Sequence, residues 1–273
     1  MNSKTLSFQS SGLLQKLNQE NVTFFSLETA YKLLADSTKP TVRRLLSDMT
    51  ARGLLLRVKN GLYCIIPYDQ DALTYFPNWH LVAKHLAAGT NFYIGYYSAL
   101  DIHSLITQPA LKEQIVVDTQ MKPSSYKIKG HKFQFIYHNK DHFFGIKNMW
   151  IDSFNILPCS DLEKTIVDCL YKPDYAGGIS EIAKAVHKSK EMIDYEKLAD
   201  YCKRFKAQSV IKRLGFLLEV LDIHNPITEE LQQIKNKSVI LLEPSYERKG
   251  KVISKWNIQQ NVETTDITSS IFT

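Results

Sequence analysis

Apolar positions near the start of the chain recur at helical spacing. Leu13, Leu14 and Leu17 stand at i, i+1 and i+4, which predicts a short helix over residues 10–19. Leu27, Ala30, Tyr31 and Leu34 make the stripe of a second helix. Ser26 is its expected N-cap, and Thr29 stands where a capping-box acid would be. Asp36-Ser37-Thr38-Lys39 interrupts it with turn formers, and Pro40 suits the first turn of a third helix, where a missing N–H removes no bond. Val42, Leu45, Leu46 and Met49 then fall at i, i+3, i+4 and i+7, one buried face, and Gly53 ends the helix as a C′ residue. Residues 54–66 are β-prone on both sides of Asn60-Gly61, a hairpin signal because both turn residues tolerate φ > 0.

Asp69-Gln70-Asp71, between Pro67 and Pro77, marks a linker. Residues 79–86 read as helix, Phe92–Tyr97 as a buried strand and Ser98–Leu105 as helix. Ile115–Val117 is a short central strand. Tyr126–Lys129 and Lys132–Tyr137 pair as a hairpin around Gly130-His131, and Phe143–Ile151 is a further strand with Trp150 expected in the core. Ser160-Asp161-Leu162-Glu163 reads as a capping box with Ser160 as the cap, opening a helix that turns Leu162, Ile166, Val167 and Leu170 inward. Pro173–Gly178 is a loop. Helices follow near 179–188, 194–206 and 209–221, with Lys184, Lys188, Lys203, Arg204, Lys206, Lys212 and Arg213 on their charged faces. Val239–Leu242 and Val252–Trp256 read as a closing hairpin, and the Thr/Ser-rich residues 263–273 as a frayed end.

The expected fold class is therefore α+β: an N-terminal winged helix-turn-helix, a small mixed α/β domain, and a helical C-terminal region closed by a β-hairpin. Boundaries are expected at 1–68, 69–158 and 159–273. A length of 273 residues, 44% hydrophobic and 23% charged, fits two or three globular domains and excludes wholesale disorder. The longest apolar runs, such as Gly53–Leu56 and Ile240–Leu242, fall far short of the ~20 residues a membrane span needs. Met1–Thr5 is polar, and no secretory signal is expected. Cys64, Cys159, Cys169 and Cys202 lie far apart with no C-x-x-C pair, the pattern of reduced thiols in a cytoplasmic protein.

Charge changes the picture at the N-terminus. Of the net +6, residues 1–68 hold +5, nine basic side chains against Glu20, Glu28, Asp36 and Asp48, while the rest of the chain balances to +1. A positive field on one small domain points to a polyanion. At 100° per residue, the side of the third helix opposite its apolar stripe carries Pro40, Arg43, Arg44, Ser47 and Ala51. Planar guanidiniums among small residues suit guanine edges and phosphates, and Arg57 and Lys59 sit on the approach to the hairpin tip, as on a wing. Lys39, Thr41, Arg43, Arg44, Ser47, Arg57 and Lys59 are the expected contacts with double-stranded DNA. The same fold also serves as a protein–protein module.

Elsewhere the chemistry is sparse. The aromatic-rich middle, with Phe92, Tyr93, Tyr96, Phe133, Phe135 and Trp150 among others, alternates in strand period and reads as core rather than as a base-stacking platform. His138 and His142 with Asp141 lack a third strong metal ligand. Asp161, Glu163 and Asp168 read as cap and solvent residues. No G-x-x-x-x-G-K-[ST], G-x-G-x-x-G, H-E-x-x-H or G-x-S-x-G is present, nor a Gly-Ser pair followed by Asp-x-Asp. No catalytic residue, metal or cofactor is expected.

Several segments, in order, resemble the AbiEi-type antitoxins, transcriptional regulators of type IV toxin–antitoxin (abortive infection) systems. Thr41–Met49, Arg52-Gly53-Leu54 and Arg57–Tyr63 resemble that family's winged helix, and Tyr93–Leu100 its following strand–helix step. Ser160–Leu170 with Pro173 and Tyr175–Lys184 is the most specific match. Leu242–Ser245 and Lys255–Ile258 resemble its closing hairpin. The resemblance implies a repressor whose winged domain binds inverted repeats at the shared toxin–antitoxin promoter; with one winged helix per half-site, two molecules are expected to cover a palindrome. It also implies a C-terminal region opposing a nucleotidyltransferase-like toxin without a stable complex. It offers no catalytic residues, and its DNA contacts map by position onto Arg43, Arg44, Ser47, Arg57 and Lys59. A stand-alone regulator lacking a toxin, or an RNA-acting enzyme or effector using residues 69–273, are the alternatives.

Overall fold

A computed structural model describes residues 6–106 and 108–271. The chain is α+β and divides into two units, residues 1–86 and 87–273.

In the first unit, α1 (Phe8–Gln19), β1 (Phe24–Ser26), α2 (Leu27–Leu33) and α3 (Lys39–Ala51) precede β2 (Leu55–Lys59), β3 (Leu62–Ile65) and α4 (Trp79–Leu86). Each early helix starts on a hydroxyl. The Ser7, Ser26 and Thr38 side chains accept from the N–H groups of Ser10, Thr29 and Thr41. Leu13, Leu17, Ala30, Val42, Leu46 and Met49 have no exposed surface, so the predicted stripes meet in one core. Gly53 takes a left-handed φ of +72° just past α3, as a helix stop requires. The hairpin forms at Asn60-Gly61, but only Gly61 is left-handed, and a register shift between Arg57 and Lys59 absorbs the difference. A third strand, β1, pairs antiparallel with β3; at three residues it is too short for its period to be read.

The expected boundary at 68 moves to 86. Residue Lys59 donates to the Leu86 carbonyl at 3.2 Å and Phe24 stacks on His85 with ring centroids 4.3 Å apart, which fastens α4 to the first unit.

The second unit begins with β4 (Phe92–Ile94), α5 (Tyr96–Ile102), β5 (Glu113–Val117), β6 (Ser125–Ile128), β7 (His131–Tyr137), β8 (Ile146–Trp150) and β9 (Ile156–Ser160). These strands form one mixed sheet in the order β6-β7-β5-β4-β9-β8. The helices α6 (Leu162–Tyr171), α7 (Ile179–Ser189), α8 (Tyr195–Phe205), α9 (Gln208–Val220) and α10 (Ile227–Ile234) follow. Then come β10 (Ile240–Leu241), β11 (Val252–Ile253), β12 (Ile258–Gln259) and α11 (Thr264–Ser270). A division at 158/159 has no counterpart: β9 is an inner strand, and Tyr93, Val116 and Ile136 of the sheet share one core with Ile166, Leu170, Leu198, Leu214 and Trp256.

Four further expectations are corrected. Trp150 is 65% exposed, because it ends the edge strand β8 opposite the exposed Ile156. Lys212 and Arg213 are buried rather than solvated. The Arg213 guanidinium donates to the carbonyls of Leu170, Leu241 and Leu242 at 2.7–3.0 Å, which satisfies the end of α6 and the short strand β10. The closing hairpin is instead a three-stranded sheet, with β12 parallel to β10 and antiparallel to β11. Residues 264–270 are helical and bury Ile267; Phe272 and Thr273 lie outside the described residues.

Gly215 on α9 makes room for the buried Trp256 ring, which a Cβ there would overlap. Gly215→Ala is therefore expected to destabilise the protein by about 2 kcal/mol in urea unfolding. The helix-propensity gain of up to ~1 kcal/mol works the other way, so a variant as stable as the parent would contradict this packing.

Candidate nucleic-acid interface

With Val42, Leu45, Leu46 and Met49 inward, α3 leaves Lys39, Pro40, Thr41, Arg43, Arg44, Ser47 and Ala51 exposed. Tyr31 of α2 orients two of its cations. Its hydroxyl accepts from Arg43 Nε at 2.8 Å, and the Lys39 ammonium lies 5.5 Å from its ring centre. The Arg43 terminal nitrogens stay clear of that bond, and they are the pair a guanidinium uses for bidentate contact. The Thr41 hydroxyl bonds Thr38 at 2.8 Å, so it belongs to the N-terminal cap. One acid interrupts this surface: Asp48, exposed one turn beyond Arg44.

On the hairpin, Arg57 is exposed and its guanidinium donates to Asn60 Oδ1 at 2.8 Å, which steadies the tip. Lys59 departs from expectation. It is half-buried, its ammonium is spent on the Leu86 carbonyl, and burial lowers its pKa. The structure thus collects Lys39, Arg43, Arg44 and Ser47 on one helix face and adds Arg57 on the hairpin, without Lys59. Exposed guanidiniums on a helix face are able to bond a phosphate backbone or base edges.

The second unit has titratable residues of its own. Asp161, not Ser160, caps α6: its Oδ1 accepts from the Lys164 N–H at 2.9 Å, while Ser160 ends β9. Glu163 does not reach back; its carboxylate accepts from the Asp194 N–H at 3.0 Å and the Lys197 ammonium at 2.6 Å, so it clamps α8 to α6. Asp168 is fully buried and ion-paired with the equally buried Lys164. Sequence reasoning missed this pair. Its legible signal was the i, i+4 spacing of opposite charges on a helix with few other polar residues.

The pair belongs to a closed network. Tyr93 spends its one hydroxyl proton on Asp168 at 2.9 Å and accepts from Lys164 at 2.9 Å. At His138 Nδ1, 3.3 Å away, the Tyr93 oxygen must then accept, so Nδ1 carries the proton and Nε2 accepts from the Tyr96 hydroxyl at 2.6 Å. Tyr96 holds this position at a positive φ of +55°, uncommon for a tyrosine. His142 lies beside this network, its ring centre 5.9 Å from that of His138; its Nε2 donates to the Phe205 carbonyl at 3.0 Å, and its ring stacks on Phe205. Among the described residues no group of three or more His, Cys, Asp or Glu is placed to hold a metal ion. No helix among them is long and apolar enough to cross a membrane.

No protein-family model matches the chain, and no curated protein matches it. Its architecture has a counterpart among solved structures. The crystal structure of the RV2827C protein from Mycobacterium tuberculosis matches with a TM-score of 0.73, over 100% of this chain and 97% of that one, at 12% identity. At that identity the likeness establishes the fold, from end to end, and nothing of function.

Burial, with Lys164, Lys172 and His142 nearby, pushes the His138 imidazole down to about 2. The unfolded chain binds a proton there near pH 6.5 that the folded chain refuses, so this stability is complete above pH 6.5 and is lost as pH falls. Between pH 6.5 and 5 the loss from His138 is on the order of 1–2 kcal/mol. His138→Gln should flatten the pH dependence of the urea-unfolding free energy by that amount. Equal slopes in parent and variant would show that His138 titrates freely in the folded state.

Proposed function

We propose that this chain is a DNA-binding transcriptional autorepressor and antitoxin of the type IV toxin–antitoxin kind. The first unit is a winged helix-turn-helix, with α2 and α3 as the helix pair, α3 as the recognition helix and β2–β3 as the wing. The observation that carries this is the exposed arginine face of α3, held opposite a fully buried stripe. Lys39, Arg43, Arg44 and Ser47 enter or border the major groove, and Arg57 meets the backbone from the wing. The short basic helix face suits one half-site, so two molecules cover an inverted repeat. The antitoxin role rests on the resemblance of Ser160–Leu170 and Pro173–Lys184 to AbiEi-type proteins. It gives the chain a nucleotidyltransferase-like toxin as functional partner and a cytoplasmic setting, with no cofactor and no catalysis of its own.

Arg43→Ala/Arg44→Ala should abolish specific binding to the protein's own promoter in fluorescence anisotropy. Residual binding should show a salt slope shallower by about one unit per lost phosphate contact. An unchanged affinity and slope would remove α3 from the interface. The same double variant, co-expressed with a toxin encoded beside it, should still restore growth. If rescue needs both arginines, antitoxicity is a by-product of repression.

A further inference from the structure

The balance of +1 beyond residue 68 hides a concentrated cationic segment. Residues 119–140 contain five lysines and no carboxylate, and Asp118 and Asp141 bound the stretch. Without it the remainder of that region is net acidic.

The sheet gathers part of this charge into a row. Lys127 of β6 lies directly opposite Lys132 of β7, which puts both exposed side chains on the same face. Glu113 is registered beside Phe133, so Lys112, one residue earlier, continues the row from β7 to the start of β5. Burial lowers the Lys112 pKa, and the Lys132 ammonium lowers it further, as close like charges do. At a strand spacing of about 4.8 Å, the three lysines span roughly 10 Å. Along one strand of duplex DNA, with a phosphate every ~3.4 Å of axis, that length meets about three phosphates.

Such an arrangement works against the folded protein, because like charges opposed across a strand pair destabilise it. Lysines do protect sheet edges from pairing with other chains, and β6 is an edge strand. That accounts for Lys127 but not for Lys132 or Lys112, which lie inward of it. A partner surface on another protein carries charge of both signs, whereas a stretch this long without an acid fits a uniformly negative one. Gln134 and Ser125, registered opposite each other beside the row, add neutral donors of the kind that contact phosphate oxygens.

We propose that the Lys112–Lys132–Lys127 row is a second contact with the phosphate backbone of duplex DNA, made by the second unit without reading sequence. It rests on the chain being a DNA-binding protein, but not on α3 being the reader. The full chain is titrated with a fluorescent duplex of its own promoter and with a scrambled duplex, across salt concentrations. Lys127→Gln/Lys132→Gln should weaken both by the same factor, about tenfold or more, and make the salt slope shallower by about two units. Lys127→Glu separates binding from folding. It creates an opposite-charge pair with Lys132, so the melting temperature should hold or rise while affinity for both duplexes falls.

Unchanged affinity and slope in both lysine variants would overturn the second contact and leave α3 untouched. Loss of binding in the lysine variants alone, with Arg43→Ala/Arg44→Ala binding as the parent does, would support the row and sink the recognition role of α3. A parent chain that binds neither duplex would overturn both.

Discussion

The second unit is organised around two charges taken out of water. Lys164 and Asp168 are fully buried on α6, and burial pushes the ammonium pKa down and the carboxyl pKa up, while each partner offsets the other's loss of solvent. The pair is tolerated because nothing in it is left unbonded. Asp168 accepts from Tyr93, Lys164 donates to Tyr93, and the ammonium sits 5.1–5.3 Å from the ring centres of Tyr93, Phe144 and Phe205. Removing one partner from a pair of this kind costs about 3–5 kcal/mol, whereas replacing both by apolar groups is often neutral. Such a pair therefore selects an arrangement more than it strengthens one. Here it fixes the rotation of α6 against β4, and α6 in turn packs on α5, α7, α8 and α9.

The first unit achieves its orientation by the opposite route. Four apolar side chains of α3 are buried, and among the described residues no charged side chain is buried in the core they build. Rotating α3 by half a turn would expose all four and bury Arg43 and Arg44 without partners. At about 1.5–3 kcal/mol per buried side chain, the apolar stripe alone decides which way the arginines point. That is why the candidate DNA face could be named from spacing. The period of 3.6 specifies the inward side, and the outward side follows by subtraction.

Legibility stopped where distance along the chain began to matter. Ser26, Gly53 and the β6–β7 hairpin depend on neighbours within a few residues, and each was recoverable. Lys59, Lys212 and Arg213 find their partners 27, 24 and 28–43 residues away, and no local pattern announces a cation that will be used to satisfy distant carbonyls or amides. The parallel pairing of β10 with β12 has the same character: an adjacent hairpin was the local expectation, and the third strand comes from further on. Ser160 and Glu163 had the spacing of a capping box, but β9 claimed Ser160 and α8 claimed Glu163. A motif of two side chains does not outweigh a strand pairing.

Charge shows the same contrast between local and averaged information. A sum over the first 68 residues found one basic surface, and a sum over the rest found nothing, although residues 119–140 are the more concentrated of the two. The sum failed because it ignored the sheet, which sets residues from different strands a few ångströms apart and makes Lys127, Lys132 and Lys112 one feature. The ionisable groups with the most disturbed protonation, by contrast, are sealed in the core around His138, where no solute reaches them. Each unit carries positive charge on open surface, Arg43, Arg44 and Arg57 in the first and Lys127 and Lys132 in the second. A phosphodiester backbone, which carries negative charge at regular, short intervals, is the partner proposed for it.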